Sequence, residues 1–347
     1  MHLGRKIVTF ILGNGFDIEL GLNTSYKDFY RWYLTKNDVS EDYSKMREQI
    51  LRYMDGENPT WEDYELALGQ LTNDFDDPEM FKRCFLLAKE ALVAYIKKQY
   101  SEECLKNRDY FKSAAYRLIE VSQEMAPIEP KDGHIEFNCI SLNYTPLFHD
   151  GKDDFLENEQ LVSRSSEWLG RYRLGEMINV HGTFDNPILG VDNVDQIANK
   201  EFRKNQEIVN LMVKGEIDKN IGQGWRENAV RLILKSDKIY VLGASMGDTD
   251  EFWWKTLAEW VESRNGCCEL VLNCRPDTDK EKQKQKVERF RKKISNHLLN
   301  KGFDSVIQIE ETKRSMRVTF VRISATNKIQ TYSRAKLSVI PAGQLDS

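Results

Sequence analysis

The sequence predicts an α/β fold, a parallel sheet flanked by helices with a helical insertion after the first strand unit. Three observations predict it. Ile7, Val8, Phe10, Ile11 and Leu12 form an almost unbroken apolar run that stops at Gly13-Asn14-Gly15. A run that short, ended by glycine and followed by a helical pattern, reads as a buried strand turning into a helix. Residues 40–122 then carry helical periodicity and no strand signal. From 135 to 300, short apolar runs alternate with helical patterns, which implies parallel strands covered on both faces.

Each element has its own signal. Thr24 or Ser25 can cap a helix on which Tyr26, Phe29, Tyr30 and Tyr33 share a face. Trp61, Tyr64, Leu68 and Leu71 repeat at helical spacing behind a possible Thr60 cap with Asp63 three residues on, and Phe111, Ala115 and Leu118 suggest another helix. Pro78 suits a first helical position, and Phe81, Phe85, Ala88, Leu92 and Tyr95 continue one apolar face behind it. Strand character returns at Phe137–Leu142, Met177–Val180, Ile188–Val191, Lys238–Leu242 and Glu269–Leu272, and later at Ser305–Ile309 and Arg317–Ile323. Asp248, with Glu251 three residues on, and Asp250 are expected to cap a helix that buries Trp253, Leu257, Trp260 and Val261. Residues 277–301 read as a long, charged, solvated helix.

The chain has 347 residues and a net charge of −5. It shows no basic stripe of the kind that binds a nucleic-acid backbone, and nucleic acid is not an expected partner. No apolar run approaches the ~20 residues that span a bilayer. The first apolar run is too short for a signal peptide, so the expected compartment is cytoplasmic and no membrane partner is expected. The six cysteines form no C-x-x-C and no spacing with histidine, which argues against a disulfide framework and a structural zinc. No resident metal is expected. Asp17, Glu19, Asp192 and Asp248 could be assembled into a metal site, but no spacing requires it.

Five strands end in groups able to meet a ligand. Gly13 to Asp17 follow the first, Asn143 to Thr145 the second, His181-Gly182 the third, Gly243 to Ser245 the fourth, and Asn273 the fifth. In open parallel sheets, ligands bind beyond the carboxyl ends of the strands. Gly-x-Gly at a strand end lets phosphates approach the backbone; a side chain at Gly15 is therefore expected to block a nucleotide without disturbing the fold. Each residue also has a plain structural reading. His181 suits a core histidine as well as a general base, Asn143 a turn anchor, Ser245 a cap, and Asp17 a loop brace.

The segment GNGFDIELGLNTSYKDF closely resembles the signature of the AbiH family of bacteriophage abortive infection proteins. SLNYT, VHGTFDNPILGVDN and LGASMGDTDEFWW continue the resemblance. AbiH-like proteins in turn resemble the sirtuin-like (Rossmann-type) NAD-binding fold. That resemblance implies a nucleotide-binding α/β domain from 1–39 and 123–323, an inserted helical subdomain at 40–122 and a C-terminal tail at 324–347. It implies NAD as substrate or ligand, held by Gly13, Asn14, Gly15, Phe16, Asp17, Thr145, Gly243, Ser245 and Asn273. Asn143 matches the sirtuin asparagine that orients nicotinamide and its ribose, and His181, before Gly182, matches the catalytic histidine. The zinc ribbon of sirtuins has no counterpart, and Leu142 and Thr145 replace the sirtuin glutamine and aspartate. The implied activity is therefore NAD hydrolysis at the nicotinamide–ribose bond rather than protein deacylation. The alternative is a non-catalytic sensor of NAD or ADP-ribose. A phage component as trigger and assembly into a homo-oligomer both stay open.

Overall fold

The computed structural model describes residues 6–36, 40–55, 64–106, 114–119, 121, 135–147, 172–264, 267–273, 280–297, 305–311 and 316–322. The proposed tail at 324–347, the expected cap at Thr60 with Asp63, and Trp61 and Phe111 lie outside the described residues.

β1 (Lys6–Leu12) is the middle of five parallel strands. β2 (Ile135–Ser141) and β3 (Tyr172–Asn179) extend the sheet on one side; β4 (Lys238–Leu242) and β5 (Cys267–Asn273) extend it on the other. β1 pairs with β2 from Lys6↔Ile135 to Leu12↔Ser141 and with β4 from Val8↔Lys238 to Leu12↔Leu242. All five strands therefore present their carboxyl ends along one edge. β6 (Ser305–Glu311) and β7 (Met316–Arg322) form an antiparallel pair whose β7 joins β5, giving the order β3-β2-β1-β4-β5-β7-β6. The four-residue connection between them is too short for a parallel crossover, which explains why these late strands leave the parallel pattern.

Period-two alternation puts a core on each face. Val8, Phe10 and Leu12 of β1 pack on one face with Phe137, Cys139, Tyr240 and Leu242. Ile11 packs on the other with Ile140, Ile178, Ile239 and Val241. That second face is covered by α8 (Trp225–Lys235), α9 (Glu251–Ser263) and α10 (Lys280–His297), through Leu232, Ile233, Trp254, Trp260, Phe290 and Ile294. The tryptophans at 253, 254 and 260 are core.

A third core is aromatic. It gathers Phe29, Tyr30 and Tyr33 of α2 (Tyr26–Leu34), residues of α3 (Glu41–Asp55) and α4 (Tyr64–Leu71), and Phe81, Phe85 and Tyr95 of α5 (Pro78–Lys106). It also takes in Tyr144, Leu189, Val191 and Phe202 from the sheet side of the chain, with α6 (Gln206–Met212). The inserted helices thus share one core with the segment after β3.

Two local expectations are corrected. Ile188–Val191 is no strand: Gly190 sits at φ 155, and only one parallel bridge forms, Val191 with Val213. Bending at Gly190 buries Ile188 and Leu189 in a loop instead of extending a ladder. Asp248 does not cap α9; Asp250 occupies that place, and its side chain makes no capping bond. Ser25 does cap α2, accepting from the Asp28 N–H at 3.1 Å.

Candidate functional site

The glycines at the sheet edge bring two strand-end loops together. The Gly13 N–H donates to the Leu242 carbonyl and the Gly15 N–H to the Gly243 carbonyl, both at 2.8 Å. A Cβ on Gly13 would lie 2.5 Å from Ala244 Cα, and one on Gly15 2.7 Å from Gly243 Cα. Gly243, at φ 65, would place its Cβ 2.3 Å from the Phe16 nitrogen. Strand order reverses between β1 and β4, the place where open sheets commonly admit a ligand. Here the loops from those two strands bond to each other across it. The expectation that a Gly15 side chain would leave the fold undisturbed is corrected for this steric reason.

The remaining residues of these loops are engaged nearby. Phe16 is core. Asn14 donates to the Thr24 carbonyl and accepts from the Thr24 hydroxyl, closing the loop from α1 (Asn14–Glu19) to α2. Ser245 is exposed. Asn273 ends β5, and its side chain lies outside the described residues.

Asp17 is 1% exposed and ties the first two strand ends together. Its two oxygens accept from Asn143 Nδ2 at 2.7 Å and Thr145 Oγ1 at 2.8 Å. Asn143 Nδ2 also reaches the Gly13 carbonyl at 3.1 Å. Asn179 then donates to the carbonyls of Asn143 and Thr145. Burial pushes the Asp17 carboxyl up to about 7, and the hydrogen bonds from Thr145 and Asn143 partly oppose that rise.

His181 begins a second, more highly charged group. Gly182, at φ 67, turns the chain after β3 and folds His181 onto the end of β2. Its Nδ1 lies 2.9 Å from the Leu142 carbonyl, which fixes Nδ1 as the protonated nitrogen. Its Nε2 lies 3.0 Å from Asp250 Oδ1 and 3.2 Å from Lys214 Nζ. Lys214 opens α7 (Lys214–Ile221) and is only 5% exposed. It contacts Glu65 Oε2 at 2.5 Å, Asp250 Oδ1 at 2.9 Å and the Thr249 carbonyl at 3.0 Å. Glu65, 4% exposed at the start of α4, also accepts from the Tyr144 hydroxyl.

The electrostatics follow from this packing. Burial alone would lower Lys214, but the Asp250 and Glu65 carboxylates outweigh it and hold the ammonium above the ordinary lysine range. Burial likewise opposes ionisation of Asp250, yet Lys214 and His181 hold it below the usual carboxylate range. Burial raises Tyr144, and the Glu65 charge adds to the rise. The arrangement is a compact set of fixed charges with an ionised carboxylate beside an imidazole.

This group opens on a narrow crevice lined by Val180, His181, Asp192, Lys214, Asp218, Arg226 and Trp253. Asp192 accepts from Arg226 and from the Phe252 N–H, and burial raises its carboxyl. The Arg226 guanidinium lies 3.5 Å above the Phe252 ring. The four acids considered as a metal site go separate ways. Asp17 bonds to Asn143 and Thr145, Glu19 pairs with Arg117, Asp192 with Arg226 and Asp248 with Lys293. Among the described residues, no group of three or more His, Cys, Asp or Glu stands together as a metal site.

The family model described as bacteriophage abortive infection AbiH matches residues 9–268, a span that contains both buried networks. The chain belongs to the AbiH family. Comparison with curated proteins finds no match. No helix of this AbiH protein among the described residues is long and apolar enough to cross a membrane.

The sequence singled out His181, Asn143, Thr145 and Asp17, and the structure of this AbiH chain brings them to adjoining strand ends. Glu65 and Lys214 went unnoticed, and Asp250 was read only as a cap. A signal was present for Lys214 and Asp218, which share a face of α7 with Ile217. A lysine and an aspartate on the apolar stripe of a short helix mark a polar interior.

Proposed function

We propose that this AbiH protein acts in phage defence by binding NAD or a related nucleotide at the carboxyl edge of its parallel sheet and hydrolysing the nicotinamide–ribose bond. The observation that carries the reading is the buried His181–Asp250–Lys214 group beside a crevice at that edge. The sirtuin-like order of Gly13-Asn14-Gly15, Asn143, His181-Gly182 and Gly243-Ala244-Ser245 supports it further. Ionisable groups buried together beside a cleft, with shifts set by specific charge partners, are candidates for a functional site.

The chemistry suits these residues. The bond from nicotinamide nitrogen to the ribose anomeric carbon breaks, and its electron pair returns to the ring, which leaves neutral. The ribose passes through an oxocarbenium-like state, which the ionised Asp250 carboxylate stabilises electrostatically. Water then bonds to the anomeric carbon and gives its proton to His181 Nε2, which is released from Lys214 as the substrate enters. Asn143, whose carboxamide is committed to Asp17 and Gly13, is a positioning residue in this reading. The reaction requires no resident metal.

The test is free nicotinamide released from NAD by pure protein, with and without phage lysate. His181→Ala should lower the rate on the order of 10²- to 10⁴-fold and retain ADP-ribose binding. A second reading is favoured by one observation: both His181 nitrogens are already engaged inside the protein. It makes the chain a sensor that binds NAD or ADP-ribose without turnover and engages a phage component or partner through its inserted helices. That reading expects phage protection with cellular NAD undiminished, an outcome that would rule out NAD hydrolysis.

A further inference from the structure

Among the described residues, four acceptors crowd the Lys214 ammonium. Glu65 Oε2 lies 2.5 Å from Nζ, Asp250 Oδ1 2.9 Å, the Thr249 carbonyl 3.0 Å and His181 Nε2 3.2 Å. An ammonium has three protons, so one acceptor goes without. Carboxylates bind a cationic donor most strongly. The imidazole nitrogen carries no negative charge and is the farthest of the four. With Glu65 in place, Nε2 is therefore the acceptor left over. Its lone pair is open to a proton from water, and the Nε2–H so formed has Asp250 Oδ1 3.0 Å away to accept it.

The hold of Glu65 on Lys214 depends on where α4 sits. Glu65 is buried, and its Oε1 accepts from the Tyr144 hydroxyl, which keeps Oε2 turned toward Lys214. α4 is seated against the segment after β3. The Ala198 N–H donates to the Gly69 carbonyl at 3.0 Å, and a Cβ on Gly69 would collide with the Gln196 carbonyl oxygen. Gln196 Nε2 in turn donates to the Asp248 carbonyl, two residues before Asp250. A displacement of α4 withdraws Glu65 and turns its proton toward Nε2.

We infer that Glu65 is a positioning residue: from the inserted helix α4 it draws a Lys214 proton away from His181 Nε2 and so keeps the imidazole free as a base. The inserted helices thereby set whether His181 can work, a role in catalysis that rests on the hydrolase reading above.

Nitrogen NMR of protein isotopically labelled at histidine reads the state of Nε2 directly. The chain has five histidines, and His181→Ala assigns the signal. At neutral pH, wild-type Nε2 should resonate as an acceptor without a donor. In Glu65→Gln a single carbonyl oxygen must serve both Tyr144 and Lys214. Lys214 then turns a proton to Nε2, and the signal should move to that of a hydrogen-bonded nitrogen. Gly69→Ala leaves all four acceptors intact but pushes α4 away from Gln196, and it should move the signal the same way. With NAD as substrate, Glu65→Gln should lower kcat for nicotinamide release about 10- to 100-fold, with KM unchanged. A wild-type Nε2 already hydrogen-bonded or protonated would overturn the inference, with no variant needed. A signal that stays put in folded Glu65→Gln would overturn it too. A signal that moves while no form of the protein releases nicotinamide, with or without phage lysate, would keep the positioning role and reject the hydrolase reading instead.

Discussion

Asp17→Asn should make the protein more stable than wild type at neutral pH, and the advantage should vanish in acid. The side chain is buried at the junction of the β1 and β2 loops, and its carboxyl rises from 3.8 to about 7. Between those values the folded state keeps a proton that the unfolded chain has released. The stabilisation linked to that proton is complete below about pH 4 and is lost as pH rises through about 7. A shift of this size corresponds to about 4 kcal/mol, an upper figure because the loops can relax around the charge. Asparagine mimics the protonated side chain. It can accept from one of the two groups that now donate to Asp17 and donate to the Thr145 oxygen. Urea unfolding at about pH 4.5, 6 and 8 should show wild-type stability falling relative to Asp17→Asn across that range. Taking the difference between the two proteins cancels other titrating groups. Profiles that stay parallel within about 0.5 kcal/mol would show that Asp17 ionises in the folded protein at no cost, and the buried-brace argument would fail.

Two more expectations concern stability. Gly15→Val should unfold or destabilise the protein by at least ~1–3 kcal/mol, because its Cβ meets the Gly243 backbone; a wild-type melting temperature would contradict the closed packing of the β1 and β4 loops. Lys214→Met keeps length and apolar volume but leaves Glu65 and Asp250 without their shared cation. The loss should be about 3–5 kcal/mol, and denaturant unfolding that shows less than ~1 kcal/mol would mean the two acids find solvent or share a proton instead.

The sequence by itself determined the five parallel strands and their common direction. Apolar runs with glycine at their ends located β1 and β4, since strand burial and turn chemistry are local properties written in adjacent residues. Their alternation with helical patterns implied parallel pairing, because a parallel partner requires a long crossover. A cap for α2 at Thr24 or Ser25 and the tryptophan face of α9 were legible for the same reason. Strand ends pointed to Asn143, Thr145, His181 and Asp17 as neighbours, since parallel strands gather their ends at one edge. Tertiary structure alone decided what those residues touch. Gly13 and Gly15 approach Gly243 from more than two hundred positions away, so their smallness serves loop packing that no local pattern encodes. Glu65, Lys214 and Asp250 come from three separate helix starts, and no local pattern ties them to one another. Only folding of the inserted helices against the segment after β3 removes them from water together. Once they are buried, desolvation demands that they pair, and that demand creates the charged group around His181.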